Sequence, residues 1–264
     1  MNADSYTSFT WIFLRGLTRE SRHWGDFVGQ FQQALPDSRV VTLDLPGNGQ
    51  LNQQRSPLRV QDMVAHCRAQ LAARQIAPPY HVLAMSLGAM VAAAWAQAYP
   101  QELAANVLIN TSMRPFNPIW QRLRPSNYGV LAKLVLLGGT PEVWERSILR
   151  ITSNHAIDDV LPRWLALRRD RPVSRGNALR QLVAAAGFRA SGVKPLVPTL
   201  LLASAQDHLV SVECSKTLAR HWQCDLRLHP SAGHDLPLDD GPWVAAQVRV
   251  WLFDSAAYTA SAHE

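Results

Sequence analysis

Hydrophobic residues in this chain alternate between short continuous runs and longer stretches with helical spacing. Six runs have the length and composition of buried strands, at residues 10–14, 39–45, 80–84, 104–110, 198–203 and 225–228. Between them, apolar residues recur every three or four positions, as on one face of a helix. Examples are Trp24, Phe27, Val28, Phe31 and Leu35, then Val60, Met63, Val64, Cys67 and Leu71. Strands that alternate with helices predict a mostly parallel, doubly wound α/β sheet.

This alternation is interrupted in the middle of the chain. Residues 112–193 contain several prolines and helical patterns at 130–137 and 142–151, without a convincing strand. The strand and helix pattern resumes after Pro195. We therefore predict one α/β core, formed by residues 1–111 and 194–264, with a sheet of about six strands and a helical insertion at residues 112–193.

Composition narrows the class of protein. With 264 residues and 47% hydrophobic residues, the chain can form one large core. It has three cysteines, an odd number without a CxxC pair, so we expect reduced thiols and neither disulfides nor a metal site. No signal peptide or membrane span is apparent in the sequence, and we expect a cytoplasmic protein.

Ser86 lies at the point where an apolar run changes into a helical pattern. The surrounding residues, Ala84-Met85-Ser86-Leu87-Gly88, form a G-x-S-x-G pattern with alanine in place of the first glycine. A serine on such a turn can be presented as a nucleophile. The alternative is a serine that caps the N-terminus of the following helix.

A serine nucleophile needs a base, and the base needs a group that orients it. Asp207 and His234 each follow a later predicted strand, in the chain order Ser, Asp, His. Asp235, Asp239 and Asp240 also lie near His234, but they follow it, and we expect them in exposed turns. The remaining candidate bases, expected to be structural or exposed, are His23, His66, His81, His208 and His229.

Two further loops complete a pattern that covers essentially the whole chain. With Leu14-Arg15-Gly16-Leu17 and Asp44-Leu45-Pro46-Gly47-Asn48-Gly49, the motifs resemble the α/β-hydrolase fold superfamily, and are similar to its compact carboxylesterases of the pimeloyl-ACP methyl ester carboxylesterase type. The resemblance implies that Ser86 is the nucleophile, His234 the general base and then acid, and Asp207 the orienting carboxylate. It implies no cofactor, and it makes residues 112–193 a cap over the active site.

The resemblance also implies an oxyanion hole. Its two N–H donors would be those of Leu87, beside the nucleophile, and Leu17, after the first strand. Arg15 stands where the family usually has histidine, so a contact with substrate is one expectation for it. The first strand begins close to Met1, so we expect the family's leading hairpin to be absent or rudimentary.

Charge is unevenly distributed. The chain carries a net charge of +6, whereas residues 112–193 hold 13 basic and 5 acidic residues, a local net charge of +8. These arginines are either solvated helix residues or a surface that attracts an acidic acyl carrier protein or an anionic substrate. Nucleic acid is not expected, because no recognition motif accompanies the charge. Candidate contacts with substrate or partner are Arg163, Arg168, Trp120, Trp144 and Trp164, the tryptophans alternatively packing inside the cap.

The sequence therefore predicts a serine hydrolase that cleaves a carboxylic ester through an acyl-enzyme. A methyl esterase for acyl carrier protein conjugates is an alternative within the same class. A non-catalytic, hydrolase-like interaction module is an alternative from another class. The same three residues also serve for lactones, thioesters, amides and carbon–carbon bonds, and the sequence does not separate these substrates.

Overall fold

A computed structural model describes residues 9–154 and 157–261. Its sheet has six strands, all neighbours parallel, in the order β2-β1-β3-β4-β5-β6. The strands are β1 (Phe9–Leu14), β2 (Ser38–Leu43), β3 (Tyr80–Met85), β4 (Leu103–Ile109), β5 (Thr199–Ser204) and β6 (Asp225–His229). Each coincides with a predicted run to within two residues, so the predicted fold class is confirmed.

Helices connect the strands. Those before β4 are α1 (Phe27–Ala34), α2 (Val60–Ala73) and α3 (Leu87–Ala98). Between β4 and β5 lie α4 (Ile119–Arg122), α5 (Tyr128–Leu137), α6 (Pro141–Thr152), α7 (Ile157–Asp170) and α8 (Arg175–Gly187), which we call the cap helices. The others are α9 (Glu213–Trp222), α10 (Leu236–Asp239) and α11 (Gly241–Ser261). Short 3₁₀ helices occupy Ser21–Trp24, Gly49–Leu51, Pro100–Glu102 and Pro125–Asn127.

The core has two layers because side chains alternate along each strand. In β1, Ile12 and Leu14 belong to the apolar cluster that contains α2 and α3 residues. Trp11 and Phe13 point into the opposite cluster, with residues of α1 and α11. All four side chains are fully buried. The sheet is therefore covered on both faces, as the continuous apolar runs predict.

The first helix differs from its prediction. The apolar spacing indicates one helix from Trp24 to Leu35, but Trp24 ends a separate 3₁₀ turn and α1 begins only at Phe27. Gly25 separates the two elements, with a φ of +55°. Glycine adopts this left-handed conformation without a steric cost, so the chain changes direction there. Trp24 and Phe27 nevertheless pack in the same cluster.

A buried ion triad holds the cap helices on the core. Glu145 of α6 accepts hydrogen bonds from Arg19 at 2.6 Å and from Arg168 of α7 at 2.6 Å. The Glu145 side chain is only 1% exposed. Burial opposes ionisation of this carboxyl, but attraction to the two guanidinium groups outweighs burial, and the pKa of Glu145 lies below its ordinary value. Arg19 also stacks on Trp164, and Arg168 stacks on Trp144.

We expect the substitution Glu145→Gln to lower the free energy of unfolding by about 3–5 kcal/mol, because it leaves two buried guanidinium groups without a counter-charge. Urea denaturation followed by circular dichroism measures this loss. The matched control is Glu142→Gln on the same helix, whose partner Arg146 is at the surface. An exposed pair of this kind contributes about 0–1 kcal/mol. Equal losses in the two variants would contradict a structural role for the triad.

The same interaction predicts a pH dependence. Since the folded pKa of Glu145 lies below the unfolded value, the ionised carboxylate stabilises the fold above the unfolded pKa. This contribution is lost as the pH falls through the folded pKa. The stability difference between the wild type and Glu145→Gln should therefore be full at neutral pH and shrink in acid. A difference that grows in acid would have the wrong sign.

Candidate active site

Ser86 occupies a strained turn between β3 and α3. Its backbone has φ 54° and ψ −115°, a conformation that a residue with a side chain rarely adopts. The Ser86 N–H donates to the Ile109 carbonyl at 2.9 Å, which continues the sheet up to the turn. The hydroxyl makes no capping hydrogen bond to α3. The helix-cap interpretation is therefore wrong, and the side chain is left free of the helix.

Two glycines allow this turn to pack. A Cβ at position 88 would lie 2.5 Å from the Leu14 carbonyl oxygen and 2.6 Å from that of Arg15, distances that no real side chain tolerates. A Cβ at position 16 would lie 3.1 Å from the Cβ of Ser86. The loop after β1 thus lies directly against the turn, and glycine is required at position 88, where a side chain would meet the backbone of that loop.

Asp207 and His234 are brought together as the chain order predicts. His234 Nδ1 and Asp207 Oδ2 are 2.7 Å apart, and both side chains are 3% exposed. The other Asp207 oxygen accepts from the N–H groups of Leu209 at 2.8 Å and Val210 at 2.9 Å. These bonds fix the carboxylate, so one of its oxygens is directed at the histidine ring.

Asn110 joins the loops that carry these residues, and sequence reasoning did not single it out. It follows β4, where its side-chain amide donates to the carbonyl of His234 at 2.8 Å and to the hydroxyl of Ser204 at 3.0 Å. Its side-chain oxygen accepts from the Ser204 N–H at 2.8 Å. The sequence signal that could have identified Asn110 is a polar residue at the end of a buried strand. Asn110 thus holds the His234 loop against the end of β5.

The three other acids near His234 have partners of their own. Asp235 pairs with Arg15, and Asp240 lies 3.1 Å from His229. Asp239 accepts from the N–H groups of Gly233 and Asn154 and from the Ser153 hydroxyl. Burial raises the pKa of Asp239, and these hydrogen bonds only partly oppose the rise. Asp235 is almost fully buried, which differs from the expected exposed turn.

Arg15 forms a buried, bidentate ion pair with Asp235. Its Nη1 donates to Asp235 Oδ1 at 2.9 Å and its Nη2 to Asp235 Oδ2 at 2.5 Å, between residues 220 positions apart in sequence. The two side chains are 2% and 3% exposed, and the guanidinium lies over the ring of Trp24. The pair therefore connects the loop after β1 to the loop that carries His234. It also engages the Arg15 guanidinium group, which was expected to contact substrate.

Ser86 and His234 line one cavity of about 340 Å³. Leu17 and Leu87, whose N–H groups were predicted to form the oxyanion hole, also line it. Leu87 is the first residue of α3, where N–H groups have no acceptor within the helix. Most of the wall is apolar and comes from α3, the cap helices and the loops, including Met90, Ile119, Leu131, Ile148, Ile151, Leu182, Leu209 and Val210.

The five candidate contacts in the cap lie outside this cavity. Trp144 packs with Leu134 and Ile148, and Trp164 packs against His23, so both contribute to the interior of the cap and its interface with the core. Trp120 is 60% exposed on α4. Arg163 forms a surface ion pair with Asp26, and Arg168 belongs to the buried triad with Glu145.

Cys67, Cys214 and Cys224 are free thiols, and burial raises the pKa of each, to about 12, 12 and 11. Residues 9–154 and 157–261 contain no group of three His, Cys, Asp or Glu side chains placed to hold a metal ion. Over the same ranges, no helix has both the length and the apolar character needed to cross a membrane.

Known proteins provide a comparison for this arrangement. Residues 11–247 match the alpha/beta hydrolase family. A bifunctional biotin biosynthesis protein of Teredinibacter turnerae is 34% identical over 102 residues, which are 38% of this chain and only 17% of that protein.

Two solved structures share the fold. An esterase from Thermogutta terrifontis is 20% identical with a TM-score of 0.72, covering 94% of this chain and 90% of its own. An enol-lactonase from Burkholderia xenovorans is 16% identical with a TM-score of 0.75, covering 93% and 92%. Since the family match extends over most of the residues that form the sheet and the cap helices, this chain belongs to the alpha/beta hydrolase family.

Proposed function

We propose that this protein is a serine hydrolase that cleaves a carboxylic ester through an acyl-enzyme intermediate. The hydrogen bond of 2.7 Å between His234 and Asp207 carries the proposal, because it fixes a histidine on the wall of the cavity that Ser86 also lines. A serine hydroxyl is a weak nucleophile at neutral pH unless such a base accepts its proton.

The proposed reaction has two halves. His234 removes the Ser86 proton through Nε2 as the Ser86 oxygen attacks the ester carbonyl, and Asp207 stabilises the imidazolium that forms. The tetrahedral intermediate collapses, the alcohol leaves with the proton from His234, and an acyl group stays on Ser86. Water then attacks this acyl group, giving its proton to His234, and the carboxylic acid departs as Ser86 recovers its proton.

The developing oxyanion needs donors that are in place before the reaction. We assign this role to the N–H groups of Leu87 and Leu17. The Thr18 N–H, next to Leu17, donates to the side-chain oxygen of Gln181 in α8 at 2.8 Å. The cap therefore helps to hold the loop that supplies the second donor.

The apolar wall favours an ester with an apolar acyl or alcohol group beside the scissile bond. Among acyl transfers we choose ester cleavage, which agrees with a similar structure described as an esterase. We place the reaction in the cytoplasm, which agrees with three unpaired cysteines.

A methyl esterase that acts on acyl carrier protein conjugates is a second candidate. It is favoured by the local similarity to the biotin biosynthesis protein and by the excess of arginine in the cap. The exposed cap arginines Arg150 and Arg169 would supply the positive surface for such an acidic partner.

Ser86→Ala should reduce the hydrolysis of short p-nitrophenyl esters by about 10,000-fold or more, because no other group replaces the nucleophile. The variant should also lose labelling by a fluorophosphonate probe. Ser126→Ala, at an exposed serine of the cap, is the control and should keep both properties. If the wild type is not labelled at all, the chain is a non-catalytic module. A folded Ser86→Ala protein with most of its activity would also reject the proposal.

Arg15→Met should lower the free energy of unfolding by about 3–5 kcal/mol and lower kcat, because it leaves the Asp235 carboxylate buried without a partner beside His234. The double variant Arg15→Met/Asp235→Leu should recover most of the stability, since apolar side chains can replace a buried ion pair. Urea denaturation and steady-state kinetics measure both effects. A substrate-binding role for Arg15 predicts instead a raised KM that the second substitution does not rescue.

If an acyl carrier protein is the partner, Arg150→Gln/Arg169→Gln should raise KM for an acyl carrier protein methyl ester about tenfold and leave kcat on a free methyl ester unchanged. The rate with the protein conjugate should also fall as salt rises, because surface charges are screened. A rate that responds to neither change would exclude this candidate.

A further inference from the structure

Three arginines next to the Ser86 cavity have no acidic partner among the residues that the structure describes. Arg114, Arg122 and Arg189 line a cleft of about 400 Å³, together with Pro115, Asn117, Pro118, Ile119 and Ala186. None of these lining residues is an acid. Within the described part of the chain, none of the three guanidinium groups forms an ion pair, whereas Arg15, Arg19 and Arg168 each pair with a carboxylate.

The backbone holds two of these arginines side by side. Arg114 and Arg189 form an isolated parallel bridge, with the Ala190 N–H donating to the Arg114 carbonyl at 2.8 Å and the Arg114 N–H donating to the Phe188 carbonyl at 3.3 Å. This bridge joins the chain just before α4 to the chain just after α8. Both side chains are exposed, so like charges are concentrated at a fixed place on the surface.

Arg122 lies between this cleft and the cavity. It is buried, its Nη atoms donate to the Ala185 and Ala186 carbonyls at the end of α8, and its Nε has no partner in the described part of the chain. Burial lowers the pKa of Arg122, and repulsion from Arg114 lowers it further. Arg122 lines both spaces, as do Ile119 and Ala186, so the cleft and the Ser86 cavity share a wall.

Buried or clustered positive charge without a counter-charge is costly, and a bound anion would relieve the cost. We propose that the cleft formed by Arg114, Arg122 and Arg189 binds a carboxylate or phosphate group of a ligand whose apolar portion lies in the Ser86 cavity. The substrates would then be esters that carry an anionic group beyond an apolar chain. This assignment of a substrate class rests on the proposed function, but the anion site itself does not require turnover.

Binding is tested in the Ser86→Ala protein, where hydrolysis does not interfere. Monomethyl adipate and methyl hexanoate differ only at the end of the chain, which is a carboxylate in one and a methyl group in the other, and methyl 5-(phosphonooxy)pentanoate carries a phosphate at that end. Isothermal titration calorimetry should give tighter binding of an anionic probe than of methyl hexanoate. Arg114→Gln/Arg189→Gln should weaken binding of that anionic probe by about tenfold or more, because two charge-assisted contacts are lost.

The matched control is Arg39→Gln/Arg59→Gln, which removes the same charge from two exposed arginines on β2 and before α2. This control should leave the affinities for all three probes within about twofold of the starting protein, because screened charges at a distance contribute little. Preference for monomethyl adipate identifies a carboxylate site, and preference for methyl 5-(phosphonooxy)pentanoate identifies a phosphate site. Equal affinity for charged and neutral probes, or equal losses in both double variants, would overturn the proposal.

Turnover provides a second and separate measurement. In the protein with Ser86 intact, the ratio of kcat/KM for an anionic ester to that for its neutral analogue should fall about tenfold or more in Arg114→Gln/Arg189→Gln. The control double variant should keep the wild-type ratio. If the anion site binds its probe but Ser86 is not needed for hydrolysis, the proposed function fails and the anion site stands.

Discussion

The turn at Ser86 constrains the rest of the site because the backbone of the loop after β1 packs directly against it and has no space to move. The positive φ of Ser86 requires the turn to be held from outside. The loop after β1 does this through close contacts, and the end of β4 does so through the hydrogen bond to Ile109. Gly16 and Gly88 permit the approach at the two closest points. The backbone amides proposed for the oxyanion hole are therefore positioned by main-chain packing.

Polar groups that are buried near the turn need partners in the protein, because burial removes them from water. Asp207 has three donors, Asn110 bonds across two loops, and Asp235 is matched by the fork of Arg15. A guanidinium and a carboxylate fit each other in one geometry, unlike two apolar side chains. The loops that carry the proposed catalytic groups are thus held in both position and direction.

Local patterns were enough to predict the six strands, the turn at Ser86 and the pairing of Asp207 with His234. Each of these depends on a run of apolar residues or on a strand end, which neighbours in sequence define. The Arg15 and Asp235 pair joins residues 220 positions apart, and no local pattern reports such a contact. The position of Trp144 and Trp164 inside the cap depends on how the cap helices face each other, which their spacing leaves open. Gly25 shows a further limit, since one residue with positive φ divides a continuous helical pattern.

The charge of the cap illustrates why composition and surface potential differ. The sequence shows only that arginine is in excess between β4 and β5. The structure separates arginines that pair with a carboxylate from arginines that do not. Arg168 is buried against Glu145, which also pairs with Arg19, so the charge of Arg168 is partly compensated there. Arg114, Arg122 and Arg189 have no such partner among the described residues, so the field that reaches a ligand comes from arginines of this second kind. Because Arg122 also borders the Ser86 cavity, a ligand that packs against the apolar wall would also experience the positive potential of the cleft.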